Sequence, residues 1–99
     1  MDGGLRFEWD IDNAGHLARH GVRPEEAGQA LSGFVVDLDY RVTEDGDERW
    51  TAMGQTAAGG LLVIVWTALD DGSYRPITAY PATKGLESVY HRAIQGAGT

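Results

Sequence analysis

The sequence predicts an α+β fold, and three observations point there. Two helical patterns lie near the N-terminus, four strand patterns follow with short turn signals between them, and one helical pattern closes the chain. Strands joined by such short connections pair antiparallel, and the helices before and after them pack on the sheet's apolar face. A further strand pattern precedes the first helix, giving the order β-α-α-β-β-β-β-α and a sheet of four to five strands. The 99 residues suit a single domain over residues 1–99, with 1–4 and 96–99 expected to fray.

Leu5-Arg6-Phe7-Glu8-Trp9 alternates apolar and polar residues and reads as a short strand. Asp10 suits a helix N-cap, and Asp12 adds negative charge where the helix dipole favours it. Ile11, Ala14, Leu17 and Ala18 share one face, with Gly21 as the stop after Arg19 and His20. Pro24, Glu25 and Glu26 open a second helix whose stripe is Ala27, Ala30, Leu31 and Phe34, ending at Gly33. Arg23 stands where Ser, Thr or Asp is the usual cap, so this start is under-capped.

The period then changes to two. Val36, Leu38, Tyr40 and Val42 alternate with Asp37, Asp39 and Arg41, a strand with one wet face. Glu44-Asp45-Gly46-Asp47 is a turn, Glu48–Thr56 a strand, and Ala57-Ala58-Gly59-Gly60 the next turn. Leu61–Leu69 is almost wholly apolar, as a central strand covered on both faces is. Asp70-Asp71-Gly72-Ser73 turns the chain into a last strand, Tyr74–Tyr80, where Pro76 demands an edge or a bulge. Thr83 caps a final helix with the stripe Leu86, Val89, Tyr90, Ala93 and Ile94. Trp9, Trp50 and Trp66 belong to the core, since so small a chain needs its largest apolar groups inside.

Composition narrows the function. With no cysteine there is no disulfide, no thiolate metal site and no cysteine nucleophile. Leu61–Ala68 is the longest apolar run and falls far short of a membrane span, and the N-terminus lacks a signal-peptide layout. No membrane association and a cytoplasmic location are therefore expected. The net charge is −7, against the basic stripe usual in nucleic-acid binders. Residues 1–72 hold five basic and fourteen acidic side chains, net −9, whereas residues 73–99 are net +2. A cationic corner on an acidic body is the arrangement this allows.

A resemblance covers nearly the whole chain. Phe7-Glu8-Trp9-Asp10 followed by Asn13, then His16-Leu17-Ala18-Arg19-His20-Gly21-Val22 and Pro24-Glu25-Glu26, resembles the opening signature of BrnT-type toxins. Glu48-Arg49-Trp50 and Met53-Gly54-Gln55-Thr56 continue it, and Arg75-Pro76-Ile77-Thr78-Ala79, Ala82-Thr83, Glu87 and Tyr90 complete it. The resemblance implies a RelE-like ribonuclease toxin that cleaves RNA without a metal or other cofactor and pairs with a small BrnA-like antitoxin. A homodimer is a further expectation.

Metal-free RNA cleavage requires a base for the 2′-hydroxyl, cations for the charge on phosphorus, and an acid for the leaving oxygen. His16 and His20 lie four apart on the first helix, with Arg19 adjacent, so His20 can move a proton while His16 and Arg19 hold RNA. Equally, these groups complement a helix C-terminus, with His16 pairing with Asp12. The histidine pair has Leu17 where a zinc protease carries glutamate, and His91 is the sole other histidine, so no metal site is expected. Arg49 shares a strand face with Thr51 and Met53, and Arg75 with Ile77 and Ala79; if these faces meet, two guanidinium groups grip a phosphate. The alternative is ion pairing with Glu44, Glu48 or another acid. Glu48 is a candidate general base, or a solvated strand residue. Tyr80 is a candidate acid, base or stacking group, or packs over Pro81. Lys84, in the first turn of the last helix, opposes the dipole, which a bound phosphate relieves.

Two functions follow: an RNA endonuclease toxin, with these cations on one open surface, or a catalytically degenerate toxin-like domain serving as a protein-interaction module, with an exposed apolar patch.

Overall fold

The computed structural model describes residues 5–97, so the expectations for residues 1–4 and 98–99 lie outside them. Its elements are α1 (Ile11–Arg19), α2 (Pro24–Ser32), β1 (Val35–Val42), β2 (Glu48–Gln55), β3 (Leu61–Ala68), β4 (Tyr74–Pro81) and α3 (Lys84–Ala97). The strands form one antiparallel sheet in the order β1-β2-β3-β4, so the fold is α+β as the sequence predicts. Gly96 and Ala97 belong to α3 rather than to a frayed tail.

The expected first strand is reduced to one parallel bridge, Phe7 to Tyr74. Tyr74 N–H donates to Arg6 O and Glu8 N–H to Tyr74 O, both at 2.8 Å. The next rung needs an N–H at Pro76, and proline has none. Asn13, 2% exposed, takes over: its Nδ2 donates to Glu8 O and Pro76 O, each at 2.9 Å, and its Oδ1 accepts from Asp10 N–H. One side chain thus replaces the missing rung and ties α1 to the β4 edge. The same Asn13 closes a reciprocal capping box, its own N–H donating to Asp10 Oδ1.

Two bulges decide which residues share a face. Asp37 pairs with Ala52 and Asp39 with Thr51, leaving Leu38 as the extra residue. Val36 and Leu38 therefore pack against Met53 and Tyr90 under α3, while Tyr40, opposite Trp50, and Val42 turn to the other face. This corrects the expectation that these four residues form one apolar face. In β4 the slip falls at Ile77, beside Pro76, so the strand is both an edge and bulged. It sends Ala79 into the core under α1 and α2, away from the face Arg75 occupies.

The helices flank the sheet instead of sharing one face. Leu17, Ala27, Ala30 and Leu31 from α1 and α2 meet Leu62, Ile64 and Ala79 on one side, and Leu86, Val89 and Tyr90 of α3 meet Met53 and Leu61 on the other. At Gly54 the close approach leaves no room for a side chain, because an added Cβ would overlap the Ala30 carbonyl. Several expected core positions move. Ile11 is 90% exposed and Ala18 is exposed, so α1 buries Asn13 and Leu17. Phe34 lies beyond the end of α2 and packs edge-on against Tyr90 of α3. Trp9, Trp50 and Trp66 are half-buried. At the start of α2, Arg23 has no acceptor to offer, and Glu26 Oε1 caps the Arg23 N–H at 2.9 Å instead.

Candidate functional site: a two-arginine cleft on the sheet

Register carries Arg49 and Arg75 to one face. Arg75 pairs with Thr67, and Arg49 precedes Trp50, which pairs with Trp66 on the same strand. The two arginines therefore flank Thr67 across β3, about 10 Å apart at the usual strand spacing. They line an open cleft of about 400 Å³ together with Asp47, Thr67, Asp70 and Ile77. Both side chains are half-buried, at 29% and 27% exposure.

Their partners differ. Arg49 is 3.9 Å from the Asp47 carboxylate, a loose pair, and its Nε is buried with no hydrogen-bond partner. Arg75 is held firmly, donating through Nη1 to Asp10 Oδ2 at 2.6 Å and through Nη2 to Asp10 Oδ1 at 3.3 Å. That bond holds the Asp10 carboxyl below the usual carboxylate range and raises the Arg75 guanidinium. Ion pairing at Arg75 thus occurs, with the α1 cap as partner rather than with Glu44 or Glu48.

The other candidate residues lie elsewhere. Strand alternation puts Glu48 on the face opposite Arg49, where its Oε2 accepts the Tyr40 hydroxyl at 2.6 Å and raises the Tyr40 pKa. Glu48 does not join the cleft. His20, the C-cap of α1, sits with its ring 6.0 Å from that of Tyr80 near the far end of β4. Five residues of strand, about 16 Å, separate Tyr80 from Arg75. Arg19 neighbours His20, and Lys84 begins α3; both are exposed, as is His16. The expected cluster is therefore divided between the two ends of β4. Sequence reasoning missed Asp10 as the partner of Arg75 and Asn13 as a buried residue. Asp-x-x-Asn ahead of an apolar stripe is the capping signal that could have found Asn13; the Asp10–Arg75 pair spans 65 positions and leaves no local trace.

Among the described residues, no three or more His, Asp or Glu side chains gather into a metal-ligand set, and no helix is long and apolar enough to cross a membrane. The family model for the ribonuclease toxin BrnT of type II toxin–antitoxin systems matches residues 9–85, a span that includes every candidate residue above. No curated protein matches the chain.

Proposed function

The chain belongs to the BrnT family of ribonuclease toxins, and from this we propose that it is a metal-independent endoribonuclease that binds RNA phosphate between Arg49 and Arg75. The cleft carries this reading: two half-buried guanidinium groups face one hollow, and one keeps a buried N–H without a partner. A phosphate oxygen is a charged acceptor for the Arg49 guanidinium, and Arg75 joins it when its fork leaves Asp10.

Cleavage proceeds by attack of the 2′-oxygen on phosphorus as the bond to the 5′-oxygen breaks, leaving a 2′,3′-cyclic phosphate and a 5′-hydroxyl. A base takes the proton of the 2′-hydroxyl and an acid returns one to the departing oxygen. His20 and Tyr80 are the pair assigned to these transfers, with Arg19, His16 and Lys84 steadying the backbone around them. The reacting phosphodiester then lies at the Tyr80 end, and the arginine cleft holds a phosphate further along the same RNA. An antitoxin partner and a cytoplasmic location belong to the same proposal.

Expression in a host lacking any antitoxin tests it, scoring growth arrest and RNA decay. Wild type arrests growth; Arg49→Ala and Arg75→Ala weaken RNA binding; His20→Ala and Tyr80→Phe keep binding but lose about a hundredfold or more in cleavage. Purified protein retains activity in excess chelator. The bidentate Asp10–Arg75 pair favours a second reading, an interaction module whose cleft has one cation neutralised. Harmless wild type with intact RNA selects that module.

A further inference from the structure

We infer that the aromatic end of the face carrying α1 and α2 docks an apolar, cationic segment of a partner protein, and on the toxin–antitoxin reading that partner is the antitoxin. Four rings cross all four strands there. Tyr40 and Trp50 stand 5.6 Å apart, Trp50 and Trp66 6.2 Å, and Trp66 and Tyr74 6.1 Å. Between them lies a shallow hollow of about 310 Å³ floored by Trp50, Trp66, Ala68 and Tyr74. The helices cover the opposite end of this face, where α2 lies against Gly54. At the ring end Tyr40 and Val42 are 51% and 55% exposed. Such a run of surface aromatics has the composition of interface anchors.

Charge selects the occupant. The two hairpin loops at this end, residues 43–47 and 69–73, carry Glu44, Asp45 and Asp71, and Glu48 lies on the ring face against Tyr40, while Asp47 and Asp70 line the arginine cleft on the other side. Arg6, beside the 69–73 loop, is engaged by the Asp71 carbonyl at 2.6 Å. Arg41 and Arg49 pair with each other across β1 and β2 on the opposite face. An anionic rim repels an RNA backbone, and a second copy of this chain brings the same rim and the same −7 charge. A segment with an apolar stripe between lysines and arginines satisfies both the rings and the rim.

The probe is a synthetic amphipathic helical peptide with a leucine stripe flanked by lysine and arginine, titrated against the full chain by tryptophan emission. Binding shifts the emission to the blue. The double variants Tyr40→Ser with Val42→Ser, and Glu44→Lys with Asp45→Lys, each weaken it about tenfold, as does a peptide with glutamate replacing the basic residues. All four positions are exposed, and an unchanged far-UV circular dichroism spectrum confirms that the variants fold. Equal affinity for the acidic peptide, or unchanged affinity in both double variants, overturns the proposal. So does quenching by a single-stranded RNA that the Tyr40/Val42 variant loses, or self-association that the same variant abolishes. Arg49→Ala separates this proposal from the nuclease reading, because it weakens RNA binding and leaves the peptide titration unchanged. Peptide binding by a wild type that leaves RNA intact retires the nuclease and keeps the docking surface.

Discussion

Asp10 holds Arg75 with both carboxylate oxygens while the same carboxylate caps α1 through the Asn13 N–H. One residue therefore sets the start of a helix and the charge available to the cleft. Asparagine caps as well as aspartate but carries no charge. Asp10→Asn is accordingly expected to keep α1 in place, release Arg75, and tighten RNA binding about fivefold in a filter-binding assay. Asp10→Ala loses the cap as well and lowers the urea midpoint further than Asp10→Asn. Unchanged or weaker RNA binding by a folded Asp10→Asn protein contradicts the idea that this pair restrains the cleft.

Asn13 makes four hydrogen bonds, three of them through a buried side chain: two close the α1 cap with Asp10, one reaches Glu8 and one crosses to Pro76 of β4. Asn13→Ala leaves the Glu8 and Pro76 carbonyls without their donor and is expected to cost about 2–4 kcal/mol in urea unfolding. Asn13→Asp does no better at neutral pH, since a carboxylate cannot donate to either carbonyl. A loss below about 1 kcal/mol in both variants shows that water or a shifted backbone replaces the rung.

Gly54 lies under the Ala30 carbonyl, and any side chain there pushes α2 off the sheet. Gly54→Ala is expected to cost about 1–3 kcal/mol from overpacking, against a typical total of about 5–15 kcal/mol for a domain. Gly33→Ala is the control, because a Cβ there meets nothing within 4 Å. Equal unfolding midpoints for the two variants refute the close approach.

Acid should destabilise the fold through two carboxylates in particular. Asp10 is lowered chiefly by Arg75 and Asp71 chiefly by the Ser73 hydroxyl. A group lowered in the folded state stabilises it fully above its unfolded value, near 3.8, and that stability fades as pH falls through the lower folded value. Urea midpoints measured from about pH 5 down to about pH 2 should therefore fall steeply in wild type and less steeply in Asp10→Asn. Parallel curves contradict the linkage. At the other extreme, Tyr40 is raised by Glu48, so its contribution holds below pH 10 and fades as pH climbs through the folded value. Glu48→Gln should lower the midpoint of its phenolate absorbance change.

Local signals made most of the architecture legible. Asp10 before an apolar stripe, the positive-φ glycines Gly21, Gly46, Gly59 and Gly72 at helix stop and turns, and the apolar run of β3 each declare themselves within a few residues. The side of the sheet a residue faces was less legible, because the bulges at Leu38 and Ile77 reverse the alternation and nothing in the pattern Val-Val-Asp-Leu-Asp-Tyr marks the first. Pro76 marked the second without fixing its direction. At the candidate site, alternation within each strand leaves open whether the faces of Arg49 and Arg75 meet, and the register across β3 decides it. Glu48 shows a further limit of that reasoning. It is adjacent to Arg49 in sequence and therefore opposite in space. The separation of His20 from Arg75 was invisible because it depends on α1 running the length of the β4 edge, which Asn13 and the Asp10–Arg75 pair enforce over 63 and 65 positions.

The segment around Phe7 covers the start of the outer rim of β4, while among the described residues no strand pairs with the outer rim of β1. Lateral growth of this sheet is therefore one-sided. Two molecules joined rim to rim through β1 would present at either extremity a β4 whose first rungs are already taken, an arrangement that favours a closed pair over a fibre.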